Sequence, residues 1–264
     1  MTLSEIWIYP IKSLSGIRLT RAEVEEKGLK YDRRWMIIDE NGVFVTQRTL
    51  YKMALIGVEL LSDGLIISYR PEINNWIFVP FQPVSANLVS VTIWDDEVEA
   101  ITVSDEADKW LSRVLTKNVR LVIMPESTQR KADPKYAKNE ENVSFADGFP
   151  FLIISQASLD NLNSHLPEPI EMKRFRPNFV VTGTAPHEED EWKIIQIGNI
   201  KFDIVKPCAR CVLTTVDPKT GEKGSEPLKT LSTYRRVNNK ILFGQNVVAR
   251  DFGTINEGDR LIVM

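Results

Sequence analysis

The chain has 264 residues, 43% of them hydrophobic and 26% charged, which suits a large globular domain or two smaller ones with cores of their own. Its formal net charge of −3 provides no global positive field to draw it to nucleic acid or anionic lipid. No apolar run reaches the roughly 20 residues that a membrane helix needs.

Taken in chain order, the first strand-like run ends in Tyr9-Pro10-Ile11-Lys12-Ser13, which leaves a lysine and a hydroxyl at its mouth. Tyr31-Asp32-Arg33-Arg34-Trp35 leads into a run over 34–38 that faces 43–47 across Asp39-Glu40-Asn41-Gly42. Asn-Gly is a strong hairpin signal, because both residues accept the positive φ of a tight turn. Two more hairpins are expected, 58–61 with 65–69 and 89–94 with 98–103. The spacing after Ser104 predicts a helix capped by that serine, with Trp110, Leu111, Val114 and Leu115 facing inward. After a run over 119–124, the polar, proline-containing stretch 126–142 reads as a mobile loop. A second helix is expected over 158–166, carrying His165. Phe175-Arg176-Pro177-Asn178 enters a strand at 179–181, and 192–197 with 200–205 forms a hairpin about Gly198-Asn199. The run 212–216 reads as a strand ending in the turn Asp217-Pro218-Lys219-Thr220-Gly221. So many hairpins build antiparallel sheets that curl into barrels or sandwiches, a mainly β fold with minor α. The boundary between two domains is placed near 116–118.

The chemistry concentrates in Pro207-Cys208-Ala209-Arg210-Cys211, which holds the only two cysteines of the chain. Two cysteines cannot form a disulfide framework, and their adjacency suits a reducing compartment. The N-terminus lacks the basic start and apolar core of a signal peptide, so a cytoplasmic protein is expected. A structural zinc needs two further ligands, and no second cysteine pair exists. A thioredoxin-like dithiol needs a helix after the pair, where a strand is expected instead. Two small buried residues without chemistry are one reading; a single thiolate ligand to a metal held mainly by another cofactor fits better than either two-thiol scheme. The two histidines, His165 and His187, exclude a multi-imidazole site and give little support to serine–histidine hydrolysis. Arginine and lysine at strand ends, as at Lys12, Arg33 and Arg176, suit a phosphate or carboxylate, although each taken alone reads better as an ordinary ion pair or a solvated charge.

The order of Tyr9-Pro10-Ile11-Lys12-Ser13, Asp32-Arg33, Asp147-Gly148-Phe149-Pro150, Phe175-Arg176-Pro177-Asn178, Pro207-Cys208-Ala209-Arg210-Cys211 with Thr214-Thr215-Val216-Asp217-Pro218, and Phe243-Gly244-Gln245-Asn246 resembles the MOSC-domain proteins. More narrowly it is similar to their amidoxime-reducing branch. The resemblance implies two β-barrel-like domains, an N-terminal MOSC-type barrel over 1–117 and a MOSC domain over 118–264. It implies a molybdenum cofactor that reduces small N-hydroxylated substrates, with Cys211 as the protein thiolate on the metal and Cys208 not a ligand. Lys12, Ser13, Arg33, Arg176, Asn178 and Arg210 match positions around the pterin and its phosphate. Asp147, Gly148 and Phe149 complete the expected cofactor-binding set. Gly148 and Phe149 stand where animal members carry hydroxyl residues, so backbone donors are expected to serve there. No cysteines are left to hold an iron–sulfur centre, so electrons are expected from a separate reductase. A cofactor-handling protein or sulfur carrier with a persulfide on Cys211 is the alternative.

Overall fold

The computed structural model describes residues 1–264 and is mainly β. Its largest sheet has nine strands. Eight of them lie in the order Leu261–Val263, Ile194–Ile197, Ile200–Ala209, Lys240–Ala249, Phe151–Ser155, Phe179–Thr182, Thr2–Ile8 and Ile17–Leu19, while Arg236–Val237 pairs beside this path. The sheet curls until its ends approach. Thr2 bridges Arg260, the Leu3 N–H donates to the Asp259 carbonyl over 2.9 Å, and the Leu261 N–H donates to the Met1 carbonyl over 3.0 Å. Inside the curl, Phe151, Phe179 and Phe202 pack with ring centroids 5.4–5.7 Å apart among Leu3, Ile6 and Ile195. Phe151–Ser155 and Phe179–Thr182 run parallel, and α2 (Gln156–Asn163) lies in the crossover that such a pair requires.

A second core lies under α1 (Asp105–Leu115). Ser104 caps this helix, its Oγ accepting from the Ala107 N–H over 3.1 Å, and Asp105, Glu106 and Asp108 stand at the positive end of the helix dipole. Ala107, Trp110, Leu111, Val114 and Leu115 form the buried face, the face that helical spacing predicts. They pack against a four-stranded sheet, ordered Trp35–Asp39, Val119–Ile123, Asp96–Thr102 and Leu88–Ile93, and a three-stranded one, Ile56–Leu60, Gly64–Tyr69 and Trp76–Pro80. The expected hairpins 58–61 with 65–69 and 89–94 with 98–103 are both present.

Three local expectations give way. The run 43–47 forms only isolated bridges, Ile38–Phe44 and Val43–Thr92. The run 212–216 is a short 3-10 helix over Val212–Thr215. There Thr214 and Thr215 donate their hydroxyls to the Cys211 and Val212 carbonyls over 3.0 and 2.8 Å, and these local bonds outweigh β propensity. The helix expected to carry His165 ends at Asn163. The stretch 126–142 is a loop without helix or strand, as expected, and its buried Arg130 donates to the Ser144 and Ala146 carbonyls over 2.9 and 2.6 Å.

Sheet membership interleaves with chain order. Thr2–Ile8 lies among strands from beyond residue 150, and Val119–Ile123 pairs with Trp35–Asp39. The segments that follow these strands are thereby brought to one cleft.

Candidate functional site

The strand Ile200–Ala209 carries the cysteine segment and is irregular where it delivers it. Its register with Lys240–Ala249 slips between Pro207 and Ala209. Gly244 sits opposite this slip at φ +77, and a Cβ there would meet Ile154 Cγ1 at 2.5 Å and the Ile153 carbonyl at 2.9 Å. Only glycine accepts that conformation and that approach. Beyond the slip, Arg210 donates its N–H to the Ile241 carbonyl over 2.7 Å, and Cys211 stands as the cap residue of the 3-10 turn. Both cysteines are free and partly exposed.

Every residue expected at the site lines the cleft around Cys211: Lys12, Ser13, Arg33, Asp147, Gly148, Phe149, Arg176, Asn178 and Arg210. Three of them, Ser13, Arg33 and Arg176, have positive φ values of 68, 50 and 57°. Non-glycine residues in that region are strained, and such strain collects where the surroundings over-determine a functional geometry.

The charges are arranged in two groups. In the first, Arg48 donates its Nε to Cys211 Sγ over 3.3 Å and its Nη2 to Asp147 Oδ2 over 2.6 Å. Lys12 donates to the other oxygen of Asp147 over 2.6 Å and to the Phe145 carbonyl over 2.7 Å. Trp94 lies against the Arg48 guanidinium, 4.7 Å from its ring centre. Burial drives the Lys12 pKa down to about 8, against the pull of Asp147. Desolvation opposes ionisation of Asp147, but Lys12 and Arg48 together hold its carboxyl well below the usual carboxylate range. The Asp147 side chain is 55% exposed, and both of its oxygens are engaged in the bridge.

In the second group, Arg33 pairs with buried Asp32 over 2.6 Å and donates to Asn178 Oδ1 and the Arg176 carbonyl over 3.2 and 3.0 Å. The Tyr9 ring lies between the Arg33 and Arg176 guanidinium groups, 4.3 and 4.2 Å away. Burial, and after it the like charge of Arg33, lowers Arg176 to about 10. Asn178 is buried, with its amide committed to the Trp7 carbonyl and the Leu152 N–H, so it fixes the floor of the cleft. Arg210 donates to Cys208 Sγ over 2.9 Å and to the Phe175 carbonyl over 2.6 Å, and its Nε is buried without a partner. A Cβ on Gly148 would touch nothing within 4 Å, so a side chain would fit there and the glycine leaves the backbone open.

Arg48 escaped the sequence reading. Its signal was the same as that of Arg33, a cation beside a strand-like run, but no motif marks it. The two histidines are not cleft-lining residues; His165 stacks on Tyr234 at 5.3 Å and His187 lies tilted against it at 6.0 Å. No three His, Cys, Asp or Glu side chains converge as a metal site. A metal at Cys211 would therefore rely on ligands from outside the chain. No helix is long and apolar enough to cross a membrane.

Comparison with known proteins places these features in a family. The model of the MOSC N-terminal beta barrel domain matches residues 1–118, and that of the MOSC domain matches residues 140–262. Mitochondrial amidoxime-reducing component 1 of Mus musculus is 34% identical over 283 aligned positions, covering 100% of this chain and 82% of that protein. Mitochondrial amidoxime reducing component 2 of Homo sapiens is 35% identical, covering 98% of this chain and 82% of that protein. Among solved structures, the YUAD protein from Bacillus subtilis aligns over 98% of this chain and 93% of its own, at 10% identity and a TM-score of 0.45.

Proposed function

This chain belongs to the MOSC family, with the MOSC N-terminal β-barrel domain ahead of the MOSC domain, and we propose that it reduces N-hydroxylated compounds with a molybdenum cofactor held in the Cys211 cleft. The names of its relatives support the substrate class. The observation that carries the reading is the free thiol of Cys211, held by Arg48 in a cationic cleft.

The donor set fits such a group. Cys211 is a soft ligand, and Arg210 Nε is a buried donor still in need of an acceptor. Lys12, Arg33, Arg176 and Arg210, with the Ser13 hydroxyl, would hold the anionic phosphate of the pterin. The backbone at Gly148 and Phe149 would serve its ring, and Cys211 would ligate the metal. When bound, the cofactor supplies the two-electron chemistry. The overall reaction takes two electrons and two protons, breaks the N–O bond and releases its oxygen as water. The chain's own part is to bind and orient. Asp147 fixes the directions of Lys12 and Arg48, and Arg48 fixes the sulfur. The electrons would come from a separate reductase.

The test is turnover of an aryl amidoxime by protein from a cofactor-competent host, with a chemical reductant replacing the reductase. Wild type is expected to form the amidine, Cys208→Ala to retain much of that rate and Cys211→Ala to lose it. Full activity in Cys211→Ala refutes the assignment. Cyanolysable sulfur on Cys211 without turnover would mark a sulfur carrier instead.

A further inference from the structure

A second cavity, of about 220 Å³, shares Arg176 and Leu213 with the Cys211 cleft but is not lined by Cys211. Arg70, Lys173, Arg174 and Arg176 line it, and no carboxylate does. Two of these cations are answered from outside the lining, Arg174 by Asp217 over 2.7 Å and Lys173 by Glu171. The other two meet carbonyls only. Arg70 donates to those of Ala54, Leu55 and Pro218, and Arg176 donates to that of Leu14 over 2.6 Å. Arg70 is solvent-exposed, but Arg176 is partly buried and bonds to no carboxylate, and a guanidinium so placed favours an anion that completes it.

A second observation is independent of the charges. Tyr9 lines the same cavity and is 1% exposed, yet its hydroxyl has no hydrogen-bond partner. Its ring is held in place by the two flanking guanidinium groups and by Gly16, where a Cβ would stand 2.4 Å from the ring. Burial pushes the phenol well above its ordinary pKa, so it keeps its proton to donate. Buried hydroxyls are rarely left unsatisfied, and one fixed at the wall of a cationic cavity is a ready donor to an oxyanion.

We propose that this cavity is a second anion site, distinct from the Cys211 cleft, which takes a phosphate-class oxyanion through Arg70, Arg174, Arg176 and the Tyr9 hydroxyl. Ser15 lines it as well, its Oγ accepting from the Val58 N–H over 2.9 Å while its own proton is free to donate. The inference stands whether or not the cleft carries a molybdenum cofactor. Arg176 lines both spaces, so the variants that separate them are Tyr9 and Arg70 on one side and Lys12 on the other.

The experiment is calorimetric titration of the full chain with inorganic phosphate at constant ionic strength, with chloride as the control. Wild type is expected to bind phosphate over chloride. Tyr9→Phe, which removes a hydroxyl that nothing in the fold uses, should keep the melting temperature and weaken phosphate about fivefold, and Arg70→Gln should weaken it about tenfold or more. Lys12→Met should keep this binding event. Absence of phosphate binding in wild type overturns the proposal. So does binding that Lys12→Met abolishes while Tyr9→Phe and Arg70→Gln behave as wild type, for the anion would then occupy the Cys211 cleft alone.

Discussion

Lys12 is a cation held in a place where cations are disfavoured, and Asp147 alone offsets its burial with a full charge. Its folded pKa of about 8 lies below the 10.5 of the exposed group. Between those values the unfolded chain holds a proton that the folded chain has released, so stability rises with pH across the window. Subtracting the melting profile of Lys12→Met from that of wild type should isolate that rise, and a flat difference from pH 8 to 10.5 would contradict it. Arg48 carries a different prediction. It touches the sulfur and also Asp147, so Arg48→Gln should lower kcat/KM about 10–100-fold while the fold is retained. Unaltered kinetics would remove it from the site. Cys211, Lys12, Arg33 and Arg176 were legible in the sequence because each sits in a recognisable segment. Arg48 and the Tyr9 hydroxyl were not, since the importance of each lies in a neighbour distant in the chain or in the lack of one.

At the scale of elements, α1 is the clearest case of pattern becoming structure. Its cap, acidic first turn and apolar stripe all agree, and the helix forms where they place it. Leu111 is fully buried beneath it, so Leu111→Ala should cost about 2–5 kcal/mol. Ser104→Ala, which loses the cap alone, should cost about 0.5–2 kcal/mol. Denaturant melts of both variants check the ranking; a cap mutant less stable than the core mutant would refute it. Elements went unread where side chains reorganised the backbone. Val212–Thr215 has β-branched residues and reads as a strand, but two threonine hydroxyls close it into a turn. That turn follows Cys211, which lines the cleft, so the difference fell at a segment of the candidate site. The hairpins 58–61 with 65–69, 89–94 with 98–103 and 192–197 with 200–205, by contrast, depend on local turn chemistry and were visible in the sequence.

Across the whole molecule, the site exists because the two halves of the chain exchange strands. Thr2–Ile8 runs beside Phe179–Thr182, so Lys12 and Ser13 emerge next to Arg176 and Asn178. Val119–Ile123 belongs to the sheet of Trp35–Asp39, which leads from Arg33. Long-range pairing of this kind leaves no local trace, which is why the convergence of the motifs was expected from the family resemblance and not from the segments themselves. Residues 119–264 expressed alone would lack the strand Thr2–Ile8 and expose its apolar neighbours. That fragment should fail to give a cooperative melt unless residues 1–118 are supplied with it, and an independent sharp transition would contradict the interleaved architecture. If Cys211 holds the metal of a molybdenum cofactor, as proposed, the molybdenum and pterin content of wild type will differ from that of Cys211→Ala when both are made in a cofactor-competent host. Near-stoichiometric metal and pterin in wild type, with metal lost or its binding altered in the variant, is the expected result; neither metal nor pterin in wild type, or the same metal bound in the same way in both, would contradict it.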